Sequence, residues 1–222
     1  MERRLTRQGQ ARKAELLEHA ARLFAERGYQ QTRVIDIVRE AGVAKGLFYW
    51  YFDNKDALFR ELIEDMRRRM RAQQGVAVTE VESPLARLYA GTEASVRFMA
   101  SHRELYALMQ IEGQTGDAFT EEIRGNTAVH ARDTAAIIAA GQRAGVVRDD
   151  EDALVLAHSV LGTVLHLVYF HRTGRLETPV DELARSAARF VTRAVAADAA
   201  DADAAEREVA AATGALAASN AG

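Results

Sequence analysis

Lys45, Tyr49, Trp50, Tyr51 and Lys55 stand within eleven residues of one another in a 222-residue chain. Together they offer two ammonium groups, two phenol hydroxyls and three aromatic faces. That set suits nucleic acid, where cations and hydroxyls meet phosphate oxygens and rings meet thymine methyls in a major groove. It does not suit bond-making chemistry. The chain has no Gly-x-Ser-x-Gly elbow, no phosphate-cradling glycine loop and no cysteine to act as a thiol nucleophile, so no catalytic residue is assigned. Glu121-Glu122 and Asp149 to Asp152 stand at expected helix starts, where carboxylates favour the helix dipole for structural reasons. His158 and His166 are eight residues apart and His130 and Asp133 three, but no His-Glu-x-x-His spacing occurs. Neither a metal nor a cofactor is expected.

Such side chains need a helix to present them. Val34, Ile37 and Val38 repeat at helical spacing, Ala41 extends the same face, and Gly42 follows where a helix must stop and turn. Val43 is apolar inside the turn, as expected if it tucks between two helices meeting at a steep angle. Phe48 and Phe52, at i and i+4, supply the buried side of a second short helix and leave Lys45, Gly46, Leu47, Tyr49, Trp50 and Tyr51 on its other side. This is the pattern of a helix-turn-helix; for the aromatics alone, an apolar patch packed on another helix is the alternative. Asn54 is expected to cap a further helix starting at Lys55, whose free N–H groups suit a phosphate. Ahead of these, Ala14 to Arg27 reads as an amphipathic helix ending at Gly28-Tyr29, which completes a three-helix unit.

Over roughly residues 12 to 60 the chain resembles the tetracycline-repressor (TetR) family of bacterial one-component regulators. The resemblance rests on Ala20, Leu23, Phe24, Gly28, Tyr29 and Thr32, then on Ile37, Ala41, Gly42, Val43, Lys45, Gly46, Tyr49, Tyr51, Phe52, Lys55 and Leu58. It implies a DNA-binding face made by Arg33, Lys45, Gly46, Leu47, Tyr49, Trp50, Tyr51 and Lys55. Three positions depart from the family pattern: Arg33 where Thr or Ser is usual, Ala44 where Ser usually caps the recognition helix, and Leu47 where Thr is common. A lost cap costs about 1 kcal/mol, which weakens entry to the helix without arguing against the fold. Arg33 can restore the phosphate contact that Ala44 removes, and Leu47 favours a thymine methyl over a hydrogen bond.

The net charge of −3 argues at first against nucleic acid, but residues 1–74 carry +5 and residues 75–222 carry −8. Positive charge therefore accompanies the helix-turn-helix, as an electrostatic footprint on DNA requires. Arg3, Arg4, Arg7, Arg12 and Lys13 are placed to form an arm along the phosphates or, alternatively, a solvated terminus. Arg67 to Arg69 and Arg71 lie too far along their helix from Lys55 to reach the same DNA, so a solvated or ion-paired face is expected there. The start of the chain lacks an apolar secretory core and no run of about 18 apolar residues follows; a cytoplasmic protein without a membrane partner is expected.

The expected fold is all-α: a helix-turn-helix DNA-binding domain over 1–56 with an N-terminal arm at 1–10, a helical ligand-binding and dimerisation domain over 57–198, and a disordered, acidic, Ala-rich tail over 199–222. Helices are expected over 84–101, 103–112, 117–143, 150–172 and 179–197, with a linker over 75–84. Ala153 to Tyr169 is apolar almost all round, so one side packs on its own domain and another on a partner. The expected dimer face joins Ala157, Leu161, Gly162 and Leu165 to Leu183, Ala187, Phe190 and Val191, and a two-fold dimer implies a palindromic operator in double-stranded DNA. Candidate pocket residues are Phe98, His102, Tyr106, Met109 and Phe119, with His130, His166, Tyr169 and Phe170; such residues taken singly are more often ordinary core positions, and the family resemblance supplies most of the case for a pocket. With these features the resemblance implies a homodimeric, ligand-responsive DNA-binding regulator, most often a repressor, released by a small apolar or aromatic effector. The alternative is a helical adaptor that keeps the shape, with Leu47, Trp50 and Tyr51 touching a protein.

Overall fold

The computed structural model describes residues 6–102 and 117–219. Among them the regular elements are all α-helices: α1 (Arg7–Arg27), α2 (Val34–Glu40), α3 (Lys45–Tyr51), α4 (Lys55–Ala77), α5 (Pro84–Ser101), α6 (Asp117–Arg143), α7 (Ala153–Arg172), α8 (Val180–Val195) and α9 (Ala199–Ser219). The helices expected over 84–101, 117–143, 150–172 and 179–197 are α5 to α8, and that over 103–112 lies outside the described residues. The described residues form two compact units: α6 is divided between Arg124 and Gly125, its start belonging to the first unit, and α4 is divided between Arg69 and Met70. This division falls later than the expected boundary at residue 56, because Leu58, Phe59 and Leu62 of α4 are buried in the core of the first unit.

That core gathers Leu16, Leu17, Ala20, Leu23 and Phe24 of α1, Ile37 and Val38 of α2, Phe48 of α3 and the three α4 residues. Phe24, Tyr29 and Phe59 form its aromatic centre, with ring centroids 5.0 to 5.8 Å apart in tilted and edge-on contacts. Helix α1 begins earlier than the sequence pattern alone indicates. Thr6 caps it by accepting the N–H of Gly9 at 3.2 Å, so residues 7–10, expected in a free arm, are its first turn. Gly42, at φ 64°, ends α2 in the left-handed conformation, and the N–H of Val43 returns to the carbonyl of Val38 at 3.0 Å.

In the second unit α5 is the central helix, buried along most of its length from Leu85 to Met99 and packed against α7, α8 and α9. Helix α8 turns one stripe inward, Leu183, Ala184, Ala187, Ala188, Val191 and Val195. Near the end of α6, a Cβ on Gly141 would collide with the side chain of Val147, so glycine is what lets the next segment cross closely. That segment makes an isolated antiparallel bridge, Val147 to Ala196, with Arg148 N–H to Val195 O at 2.9 Å.

The tail expected to be disordered is the helix α9. Alanine favours helix intrinsically, and Ala202, Ala205 and Val209 form a narrow stripe that is buried against the unit's core. Charge completes the attachment: Arg189 of α8 pairs with Glu206 at 2.6 Å and Arg193 with Asp203 at 2.9 Å. The linker expected over 75–84 is shorter than its composition implies, since α4 continues through Gly75 to Ala77.

Candidate nucleic-acid interface

Helices α2 and α3 are only seven residues each, too short to persist alone, and are held by what they bury. Ile37 and Phe48 are fully enclosed, and Phe52, just past α3, is closed over by the ring of Phe48 at 5.5 Å. This fixes the rotation of α3 about its axis. With Phe48 inward, Lys45, Gly46, Tyr49 and Trp50 are turned outward and exposed. Tyr49 and Trp50 are 50% and 48% exposed, and the Lys45 ammonium lies 5.7 Å from the centroid of the Tyr49 ring. Among the described residues of the first unit, the exposed large apolar side chains are these two and Ile35. All three belong to α2 or α3. Ile35 was missed from the sequence; the signal was available, since it lies off the face shared by Val34, Ile37, Val38 and Ala41.

The expected DNA-facing residues divide into three groups. Arg33, Lys45, Gly46, Tyr49 and Trp50 are exposed. Leu47 and Tyr51 are half-buried; Tyr51 packs on the core and meets the Trp50 ring edge-on at 4.6 Å, so it supports the exposed face from behind. Lys55 is turned inward. Its ammonium donates to the carbonyls of Tyr29 at 2.8 Å and Thr32 at 3.0 Å and lies 4.0 Å over the Tyr29 ring. Burial holds its pKa below the usual lysine range despite the opposing pull of Asp56. The Tyr29 hydroxyl donates to Asp56, and burial, with that carboxylate, pushes its pKa up.

Local capping matches the departures noted at Arg33 and Ala44. Ala44 stands at the N-cap of α3 with no side-chain hydrogen bond. Arg33 stands at the N-cap of α2, where its backbone N–H donates to the Asp36 carboxylate at 2.9 Å while its guanidinium is exposed. At the start of α4, Asn54 accepts the N–H of Ala57 at 2.8 Å. Further along, Arg68 and Arg69 are both paired with Asp65, at 2.9 and 2.7 Å.

In the second unit, the expected dimer residues Ala157, Leu183, Ala187 and Val191 are buried within the chain itself, each at most 4% exposed. They are the stripe that α5 and its neighbours already cover, so they are not available to a partner. Leu161 and Leu165 are half-buried, Gly162 is exposed, and Phe190 is 62% exposed. Leu154 and Val155 join them on the open side of α7. Helix α7 is long and apolar enough by composition to cross a membrane, yet only 28% of its apolar window is buried within the chain.

Of the expected pocket residues, Tyr106 and Met109 lie outside the described residues, as does the side chain of Phe119. Phe98 is buried, His102 and His130 are half-buried, and His166 is exposed. His166, Tyr169 and Phe170 come together near the end of α7, where Phe170 lies 4.6 Å from the His166 ring and 5.2 Å from that of Tyr169. An open cleft of about 500 Å³ lies elsewhere, lined by Gln142, Val147, Arg148, Asp150 and Arg193 and by none of the expected pocket residues. Its guanidinium groups are already engaged by Asp150 and Asp203. Among the described residues no cluster of three His, Asp or Glu side chains is placed to hold a metal ion.

Comparison with known proteins follows this division. Residues 16–62 match the family described as bacterial regulatory proteins, tetR family, and residues 81–195 match the tetracyclin repressor-like C-terminal domain. The HTH-type transcriptional repressor KstR2 of Mycobacterium tuberculosis is 34% identical over 111 residues, which span 50% of this chain and 56% of that relative's length. Solved structures share the fold, two of them regulators with named chemistry. The transcriptional regulator FadR of Bacillus subtilis, in complex with stearoyl-CoA, superposes with a TM-score of 0.72 at 20% identity, covering 82% of this chain and 98% of its own. The ketosteroid transcriptional regulator KstR2 of Mycobacterium tuberculosis gives a TM-score of 0.66 at 24% identity, covering 84% and 96%.

Proposed function

This chain belongs to the tetR family of bacterial regulatory proteins, and from that premise we propose that it is a dimeric repressor that reads a palindromic operator and releases it on binding a small apolar effector. The observation that carries the reading is the exposed face of α3, where Lys45, Tyr49 and Trp50 stand outward, and with Ile35 of α2 the two aromatics are the exposed large apolar side chains among the described residues of the unit. Half-exposed aromatics beside a cation cost solvation in the free protein and are repaid by base edges and phosphates. Lys45 and Arg33 supply the phosphate contacts, and Trp50 with Leu47 reads thymine methyls.

The second copy covers the open side of α7 together with Phe190 of α8. A helix whose apolar surface is mostly uncovered within its own chain needs such a partner. The interface is therefore built on Leu154, Val155, Leu161, Gly162, Leu165 and Phe190. The effector binds in the second unit among residues that include Phe98, His130 and Tyr169, and its class follows the acyl and steroid chemistry named for the relatives. Differential affinity of that effector for one spacing of the two recognition helices releases the operator. Such a protein works in the cytoplasm.

Selection of DNA from a random library tests the reading. The expected product is a palindromic site whose affinity falls steeply with rising salt. Recovery of no preferred sequence, together with saturable binding of a protein partner, would instead favour the adaptor.

A further inference from the structure

We propose that Lys55 is a positioning residue of the DNA-reading unit and makes no contact with a phosphate. The inference rests on the DNA-binding reading above. Lys55 is the first residue of α4, and its ammonium spends two of its three donors on carbonyls at both ends of the bend between α1 and α2, Tyr29 at 2.8 Å and Thr32 at 3.0 Å. Its remaining side lies against the Tyr29 ring. Within the bend, Thr32 N–H donates to Tyr29 O at 3.3 Å and the Thr32 hydroxyl lies 2.8 Å from Gly28 O and 3.3 Å from Leu23 O. Lys55 joins the backbone of that bend to α4, where the Tyr29 side chain adds two further ties, its hydroxyl to Asp56 and its ring against Phe59.

The consequence for reading DNA runs through α2. Thr32 is followed directly by Arg33, the N-cap of α2, so pinning the Thr32 carbonyl sets where α2 begins. Ile37 and Val38 of α2 share the core with Phe48, which sets the rotation of α3 and therefore the direction of Tyr49 and Trp50. For Lys55 to reach a phosphate it would have to release both carbonyls and leave the Thr32 carbonyl of a half-enclosed bend without its ammonium partner. Lys45 and Arg33 are under no such restraint, being exposed.

Salt dependence separates position from contact. Removing one lysine–phosphate pair lowers the slope of log affinity against log salt by about 0.9, whereas loosening the bend lowers the fraction of chains with α3 in place and weakens binding without changing how many ions each complex releases. The test uses the full chain and the DNA fragment that it selects from a random library, at a temperature where circular dichroism shows each variant folded. Lys55→Met keeps the length of the side chain and removes its donors; it is expected to bind about tenfold more weakly or worse, at the wild-type slope. Lys55→Gln keeps an amide donor without the charge and is expected to recover part of the affinity, again at the wild-type slope. Lys45→Met serves as the comparison, with a shallower slope. If Lys55→Met does not fold, the slope of Lys55→Gln decides alone. A slope shallower by about 0.9 in either Lys55 variant would overturn the inference, and so would wild-type affinity in Lys55→Met. Failure of the wild-type chain to select any DNA is a different result, which removes the DNA-binding reading itself and this inference with it.

Discussion

Glu208 of α9 closes the amino end of α5 at Ser83: a single carboxylate oxygen, Oε1, accepts the N–H of Ser83 at 3.1 Å and that of Glu82 at 2.6 Å. The first N–H groups of a helix have no partner within it, and here Ser83 Oγ takes the N–H of Ala86 at 3.1 Å while Glu208 takes those of Glu82 and Ser83 just ahead of the helix. Burial alone would raise the Glu208 carboxyl, but the Glu82 and Ser83 hydrogen bonds together outweigh it and hold it below the usual glutamate range. A carboxyl lowered in the folded state contributes stability above its unfolded pKa of about 4.3 and loses it as pH falls further. Glu208→Gln is therefore expected to cost about 1 kcal/mol at neutral pH, and its difference from wild type should vanish in acid. Urea denaturation at pH 7 and below pH 4 measures both, and a difference that persists in acid would show that the carboxylate is not the stabilising group.

Two residues of one turn should respond in opposite directions. Gly42 holds φ 64° with nothing within 4 Å of an added Cβ, so Gly42→Ala meets only backbone strain and is expected to lose about 1 to 2 kcal/mol. Ala44 leaves the N-cap of α3 without a side-chain acceptor, so Ala44→Ser is expected to gain about 1 kcal/mol. Thermal unfolding of the two variants checks the pair, and a neutral Gly42→Ala would contradict the turn geometry.

Ala187 and Phe190 were both expected at the dimer face, and they make opposite predictions because one is fully buried and the other 62% exposed in a single chain. Ala187→Asp places a carboxylate in the core of the chain and should unfold it, at a cost of several kcal/mol. Phe190→Asp should leave each chain folded and separate the copies, weakening association by about 2 kcal/mol or more if Phe190 anchors the interface. Sedimentation combined with circular dichroism distinguishes the two. A Phe190→Asp protein that stays dimeric at wild-type concentrations would move the interface away from this face.

The pattern of reading and misreading has one physical source. Periodicity in Val34 to Phe52 marks which sides of α2 and α3 turn toward a core that α1 and α4 complete, so Ile37, Phe48 and the outward Tyr49 and Trp50 were legible from spacing alone. Lys55 was not, because its partners are backbone carbonyls 23 and 26 residues earlier, and a carbonyl has no sequence signature. The stripe Leu183, Ala187, Val191 was legible as apolar but not as already covered; burial by α5 and α9 is a tertiary fact. Helix α9 was misread for a related reason. Low apolar content argues for disorder when large side chains must supply the burial, but small residues and three acidic partners, Asp203, Glu206 and Glu208, hold this helix instead.

His130 links stability to pH through the last turns of α4. It lies on α6 one turn before Asp133, whose carboxylate is held by Arg71 of α4 at 2.5 Å. Burial, the largest influence, lowers the His130 pKa; Asp133 opposes that and Arg71 adds to it. The unfolded chain takes up the proton near pH 6.5, about the value of a free imidazole, while the folded chain resists it until lower pH. Between those points the unfolded state binds more protons, so stability falls as pH falls and is fully present above the unfolded value. His130→Gln removes the titration while keeping a polar side chain. Its stability relative to wild type should therefore improve as pH is lowered from 7.5 toward 5 in a chemical denaturation series. Parallel loss in both proteins across that range would assign the acid sensitivity to another group, since only the difference between the two curves belongs to His130.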